Sequence, residues 1–132
     1  MREHINENKQ KQVYKVIGKH VYGNLYEIED KFLTDLEFLI DIVNKSAEIG
    51  NLHIIEVYTK KFKAINNMPG GVSVIALLEE SHIALHTWPE SNYATIDIYS
   101  CGKKSSPEES FKFILNKLKP KTFKMFKADR GN

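Results

Sequence analysis

The chain has 132 residues, which is long enough to bury one core but short for two independent domains. Its 19 basic and 17 acidic residues nearly balance, which argues against a dedicated nucleic-acid or acidic-membrane surface. A single cysteine excludes an intrachain disulfide framework and no apolar run reaches the roughly 18 residues of a membrane span, so we expect one cytoplasmic domain over 1–132.

The first half of the chain predicts a strand, a helix and a second strand behind a polar, mobile arm at 1–12. Val, Ile and Tyr alternate approximately over 13–29, which favours a strand. Apolar residues then recur at helical spacing over 31–49, with Gly50 as a stop. Residues 52–58 predict another strand, and the turn formers of 63–71 predict a long loop. Because such loops are often functional, we expect 63–71 to face the substrate.

The second half predicts three strands in succession, at 72–78, 82–88 and 93–99, followed by a helix and a last strand. Ser106 is a plausible N-cap for a helix that runs from Pro107 to about Leu118, and 122–126 then returns as a strand before a polar end. The order is β-α-β-β-β-β-α-β. It predicts an α/β fold of the α+β type, a two-layer sandwich in which two helices cover one face of a mostly antiparallel sheet.

Reactive side chains are densest over residues 71–90, and Cys101 follows shortly after. No metal pattern fits, because His82 and His86 are spaced for a helix face in a segment that predicts a strand, so we expect no metal. No G-x-S-x-G turn is present to indicate a serine hydrolase. Taken alone, Ser81 followed by His82 is typical of a turn residue and a half-exposed strand residue.

The run ESHIALHTWPE at 80–90, followed by YATIDIYSCG at 93–102, resembles the pyruvoyl-dependent S-adenosylmethionine decarboxylase proenzymes of bacteria and archaea. The similarity spans about residues 16–130. It implies cleavage between Glu80 and Ser81 into a β chain of residues 1–80 and an α chain of residues 81–132. Ser81 would become a covalent pyruvoyl group that forms a Schiff base with a small amino-acid-like substrate.

The same resemblance implies a role for three further side chains. His86 would be the base that removes a proton during processing, Ser73 would assist the acyl shift, and Cys101 would donate the proton in the decarboxylation. The family commonly pairs αβ protomers, so we expect a dimer or a dimer of dimers.

A hairpin centred on the cleavage point predicts where the side chains with these roles lie relative to one another. If Glu80 and Ser81 are its two turn residues, Ser73 lies opposite Trp88 and is a same-face diagonal neighbour of His86, at roughly 7 to 8 Å between Cα atoms. Strand alternation then places Ser81 and His86 on opposite faces. A shared role for them therefore predicts a bulge or twist in this strand.

Departures from the usual family pattern bear on the substrate. The chain reads G-V-S-V where G-V-S-G or G-V-T-G is usual, and its 63–71 loop lacks the aromatic on which adenine stacks in the S-adenosylmethionine enzymes. The runs GGVSVIAL and IGKHVYGNLYE are instead similar to the crenarchaeal arginine decarboxylase branch, which implies conversion of L-arginine to agmatine in polyamine biosynthesis.

S-adenosylmethionine is the alternative substrate, and an unprocessed, non-catalytic regulatory homologue is a further alternative. A guanidinium would require a carboxylate, for which Glu79, Glu90 and Asp97 are the candidates. By resemblance to the S-adenosylmethionine enzymes, Glu90 would instead bind ribose hydroxyls.

Overall fold

The computed structural model describes residues 17–131, which form a six-stranded sheet with helices on one face. The predicted arm at 1–12 and the start of the predicted first strand lie outside the described residues. The strands follow the order β2-β3-β4-β5-β1-β6, and every neighbouring pair is antiparallel. The elements in chain order are β1 (Gly18–Tyr26), α1 (Asp30–Thr34), α2 (Leu36–Ile49), β2 (Ile54–Lys61), β3 (Val72–Leu78), β4 (Ser81–Trp88), a 3-10 turn (Pro89–Ser91), β5 (Tyr93–Ser100), α3 (Pro107–Leu118) and β6 (Thr122–Arg130).

The core lies between the sheet and the two longer helices, which confirms the predicted two-layer α+β class. Alternate residues of β3, β4 and β5 are buried, because successive strand side chains point to opposite faces, and they meet the apolar stripes of α2 and α3. Gly50, at the end of α2, allows α3 to approach closely, since a Cβ there would lie 2.0 Å from Ser110 Oγ. Within the described residues, no helix is both long and apolar enough to cross a membrane.

Three predicted elements differ from the structure. The helix predicted over 31–49 is two helices, because Asp35 is extended and its side chain caps α2 by accepting from the Phe38 N–H at 3.1 Å. Strand β2 runs on to Lys61, beyond the predicted end at residue 58. Strand β6 extends to Arg130 and pairs with β1 over the whole length of both strands. Part of the predicted polar end therefore belongs to this strand.

The β3–β4 hairpin has a different register from the predicted one. Glu79 and Glu80 occupy the turn rather than Glu80 and Ser81, and Ser81 is the first residue of β4. Ser73 therefore lies directly opposite His86 instead of diagonally from it. A shift of two residues preserves faces, so the prediction that Ser73 and His86 share a face is confirmed.

The sheet surface away from the helices, which we call the open face, carries apolar and aromatic side chains. Ile75 and Leu77 are 40% and 43% exposed, and Trp88 and Phe126 are exposed to a similar degree. Isolated exposed apolar residues are normal, but a broad set on one sheet face indicates a surface that another molecule covers. His86 and Ser73 lie on this face, because they alternate with the buried residues of β4 and β3.

Candidate active site

The Ser73 and His86 side chains form a hydrogen bond beside a cavity. Ser73 Oγ lies 2.7 Å from His86 Nδ1, because β3 and β4 place the two residues opposite each other. An imidazole that contacts a hydroxyl in this way can take up or return a proton. The open cavity next to the pair has a volume of about 760 Å³, and Glu90 and most of the 63–71 loop also line it. The predicted substrate-facing loop is thus part of the wall of a cavity that is the right size for a small ligand.

The carbonyl of Glu80, which precedes Ser81, accepts two hydrogen bonds from Cys101. The backbone N–H of Cys101 donates at 3.2 Å and its thiol at 3.1 Å. Ser81 begins β4 opposite Ser100, the residue before Cys101, and this pairing brings the cysteine next to the Glu80–Ser81 bond. Two donors on one carbonyl oxygen polarise its carbon and could stabilise negative charge on the oxygen. Cys101 is a free, exposed cysteine, not a buried one.

The Glu80 side chain is bound by His53, a residue in the connection between α2 and β2. One carboxylate oxygen accepts from the His53 backbone N–H at 3.0 Å, and the other lies 2.7 Å from His53 Nδ1. Burial alone would raise the pKa of the Glu80 carboxyl, but the hydrogen bonds from His53 outweigh it and the pKa is lowered. The hydrogen bond with Glu80, and then the charge of Glu80, raise the pKa of His53. Both shifts favour a charged pair.

Ser81 and His86 do not come together within one chain. They lie on opposite faces of β4, five residues apart, which corresponds to about 16 Å along a strand. The bulge predicted between them is wrong, because β4 pairs with β5 without interruption over 81–88. Among the described strand pairs, a register shift occurs in the pairing of β2 with β3, between Ile54 and Glu56. Neither Ser81 nor Cys101 lines the cavity beside His86.

The three candidate carboxylates for substrate binding lie in three different places. Glu90 is exposed and lines the cavity. Asp97 lies on the open face, where one of its oxygens is 3.0 Å from His20 Nε2 and 3.2 Å from His82 Nε2. Glu79 is exposed in the hairpin turn. Among these three, Glu90 alone can contact a molecule in the cavity.

Two aromatic side chains of the cavity were missed by the sequence analysis. The 63–71 loop has no aromatic residue, but Phe62 immediately precedes it and lines the cavity, as does Trp88. Trp88 could have been found from strand alternation, since it is two residues from His86 and shares its face. An aromatic ring can stack on a guanidinium or on a purine, so these residues are compatible with both substrates considered above.

His53 also belongs to a group of potential metal ligands that was not anticipated. In the part of the chain that the structure describes, the side chains of His53, Glu79 and Glu80 place ligand atoms within 4.8 Å of one another. Both histidine nitrogens and carboxylate oxygens bind divalent transition metals. The His53 nitrogen nearest Glu80, Nδ1, already forms a hydrogen bond with the Glu80 carboxylate. A metal that bound this nitrogen would have to break that hydrogen bond.

Comparison with known proteins identifies relatives of this chain. A family model described as S-adenosylmethionine decarboxylase matches residues 19–131. The arginine decarboxylase proenzyme of Hyperthermus butylicus is 47% identical over 117 residues, which cover 89% of this chain and 80% of that protein. The arginine decarboxylase proenzyme of Caldivirga maquilingensis is also 47% identical over 117 residues, covering 89% of this chain and 86% of the relative.

A solved structure has the same fold. The adenosylmethionine decarboxylase from Aquifex aeolicus superposes with a TM-score of 0.79 at 29% identity, over 90% of this chain and 94% of that one. The fold and these matches together define a decarboxylase. The chain belongs to the S-adenosylmethionine decarboxylase family.

Proposed function

We propose that this chain is a single-domain proenzyme that cleaves itself between Glu80 and Ser81 and then acts as a pyruvoyl-dependent decarboxylase. The observation that carries the proposal is the pair of hydrogen bonds from Cys101 to the Glu80 carbonyl oxygen, at 3.1 and 3.2 Å. They prepare the carbonyl that precedes Ser81 for attack by a neighbouring hydroxyl. The Cys101 side chain is a free thiol, which fits a reducing compartment such as the cytoplasm.

Self-cleavage then follows from the chemistry of a serine next to a polarised carbonyl. The Ser81 hydroxyl adds to the Glu80 carbonyl carbon, the C–N bond breaks, and the hydroxyl proton ends on the freed amine, leaving an ester. A base removes the Ser81 α-proton, so the Cβ–Oγ bond breaks and Glu80 leaves as a terminal carboxylate. The dehydroalanine that remains takes up water and loses ammonia to become the pyruvoyl group. Serine supplies both the nucleophile and the leaving oxygen.

The residues around Ser81 suit such a group. Pairing of β4 with β5 would retain the new chain end after cleavage, because Ser81 pairs with Ser100. The pyruvoyl group supplies a carbonyl that accepts the electrons left when carbon dioxide departs. Cys101 Sγ lies 3.1 Å from the Glu80 carbonyl oxygen, on the amino side of Ser81, and a thiol with a reference pKa near 8.5 can donate a proton near neutral pH.

Replacing Cys101 by Ser should separate processing from catalysis. The backbone N–H of residue 101 still donates to the Glu80 carbonyl, so cleavage should continue. Decarboxylation should fall by about 100-fold or more, since a serine hydroxyl is a far weaker acid than a thiol. Carbon dioxide release per cleaved chain, with cleavage quantified by intact mass, measures the two effects separately. Wild-type turnover in the Cys101→Ser variant would contradict this role.

L-arginine, converted to agmatine, is the substrate that the cavity supports best. Glu90 supplies a carboxylate for the guanidinium at a cavity lined by Phe62 and Trp88, where the planar cation can also stack. The two similar relatives carry the name arginine decarboxylase proenzyme. S-adenosylmethionine is the second candidate, because the same rings could stack on adenine and Glu90 could accept from ribose hydroxyls.

A direct assay distinguishes the two substrates. Purified, cleaved protein offered L-arginine or S-adenosylmethionine at equal concentration should release carbon dioxide from arginine far faster. Glu90→Gln should raise the KM for arginine by about tenfold, because the charged partner of the guanidinium is lost while the shape of the side chain is kept. Glu56→Gln, an exposed position on β2, is the matched control. Faster release from S-adenosylmethionine would reverse the assignment.

We also propose that the active site is completed by a second copy of the chain. Ser81 and His86 are on opposite faces of β4, while the open face that carries His86 exposes apolar side chains such as Ile75 and Leu77. Packing of two such faces buries this surface, as sheets do in sandwiches. It would allow the hairpin end of one copy, with Ser81, to approach the His86 cavity of its partner.

A further inference from the structure

We propose that His53 is a positioning residue for self-cleavage, which holds Glu80 so that its carbonyl carbon stays within reach of the Ser81 hydroxyl. The inference rests on the proposed self-processing and adds to it a residue outside the motifs that define the family resemblance. His53 lies 27 residues before Glu80 and contacts it through both main chain and side chain.

Three hydrogen bonds attach the Glu79–Glu80 turn to His53. The Glu79 N–H donates to the His53 carbonyl at 2.9 Å, while the His53 N–H and Nδ1 bind the two Glu80 carboxylate oxygens at 3.0 and 2.7 Å. The Glu80 side chain is only 16% exposed although it is in a hairpin turn. One residue therefore occupies both oxygens of a largely buried carboxylate.

Glu80 is thereby held at two points, both on the acyl side of the bond that breaks. Its carboxylate is held by His53 and its carbonyl oxygen by Cys101, so rotation about the backbone between them is restricted. Gly102 completes the arrangement, because a Cβ there would lie 3.0 Å from Glu80 Cγ. Restricting the reacting carbonyl to one orientation lowers the entropy cost of intramolecular attack.

The sheet itself is distorted beside His53. The β2–β3 register shifts between Ile54 and Glu56, immediately after His53 and on the strand that pairs with the one leading into the turn. Bulges next to reactive sites commonly re-aim a side chain, and this one lies where it can direct His53 toward Glu80.

The experiment compares two neutral amides that differ in where the donor lies. The Asn side chain places its amide near the position of Nδ1, whereas the Gln amide lies near Nε2, away from Glu80. We follow conversion of the full-length chain into its two fragments during a chase after cell-free translation, for the wild type, His53→Asn, His53→Gln and the control Glu48→Gln. Glu48 is exposed at the end of α2.

The expected result is that His53→Gln slows cleavage by about tenfold, while His53→Asn stays within about threefold of the wild type. Glu48→Gln should cleave at the wild-type rate. Once cleaved, the His53→Gln protein should decarboxylate at the wild-type rate per pyruvoyl group, which a general loss of structure would not allow. Added EDTA should leave the wild-type rate unchanged, since the imidazole rather than a metal bound by His53, Glu79 and Glu80 does the positioning.

Different results overturn different claims. Equal rates for the two amides, whether fast or slow, would show that the position of the donor is irrelevant and would overturn the role of His53. Inhibition of cleavage by EDTA would replace it with a metal site. If the wild-type chain is never cleaved, the proposed function itself is wrong. The wild-type sample alone shows this outcome, whatever the variants do.

Discussion

We expect Ser81→Ala to remain a single full-length chain and to release no carbon dioxide above the uncatalysed rate. Alanine has neither the hydroxyl that the proposed self-cleavage requires for attack on the Glu80 carbonyl nor an oxygen that can leave from Cβ, so neither the cleavage nor the pyruvoyl group should form. The fold should be retained, because a buried apolar set on α2, α3 and the sheet stabilises it and the Ser81 side chain is not part of that set. No larger single effect is expected from any substitution in the chain.

Intact mass spectrometry and carbonyl labelling with hydroxylamine measure this effect. The wild type should give fragments 1–80 and 81–132, with a hydroxylamine-reactive carbonyl only on the second. Ser91→Ala, an exposed serine in the 3-10 turn after β4, should behave as the wild type does. A wild-type preparation that stays full length at every age would make the protein an unprocessed regulatory homologue.

The strands and the longer helices could be predicted because each buries one face. Alternating burial in β3, β4 and β5 is a period-two pattern, and the capping of α3 by Ser106, which accepts from the Glu109 N–H at 3.3 Å, is local in sequence. The break at Asp35 could not be predicted from periodicity, because the apolar spacing continues through it. A distant residue also contacts this break, since Lys61 of β2 donates to the Thr34 carbonyl.

The candidate site was predictable in part for the same reason. Ser73 and His86 share a face by strand alternation alone, so their proximity did not require the exact turn. The turn also makes a long-range contact, because Glu80 binds His53, which no local pattern relates to the hairpin. Phe62 was missed because it lies one residue outside the loop boundary, and His53 because an isolated histidine in a connection carries no signal.

Ser81 and His86 lie too far apart within one chain to act on each other. A base cannot remove the Ser81 α-proton from about 16 Å away on the opposite side of an unbroken strand. Either another group removes the proton within the chain, or His86 acts on the Ser81 of a partner. The exposed apolar residues around His86 favour the second explanation.

Co-expression of two inactive variants distinguishes these possibilities. Ser81→Ala has no residue to convert, and His86→Ala should lack the base, so each alone should remain uncleaved. In a mixed dimer, the Ser81→Ala chain supplies an intact His86 to the Ser81 of the His86→Ala chain. With random pairing at equal amounts, about half of the His86→Ala chains should therefore be cleaved.

Tags of different mass on the two chains identify which one is cleaved, and the matched control pairs His86→Ala with Ser81→Ala,His86→Ala, which cannot supply the base. Cleavage in the first mixture and not in the control would place Ser81 and its base on different chains of one assembly. Absence of cleavage in both mixtures, with mixed dimers demonstrated by pull-down through one tag, would mean that His86 acts within its own chain. In that case β4 would have to rearrange before processing, because its pairing with β5 is continuous from Ser81 to Trp88.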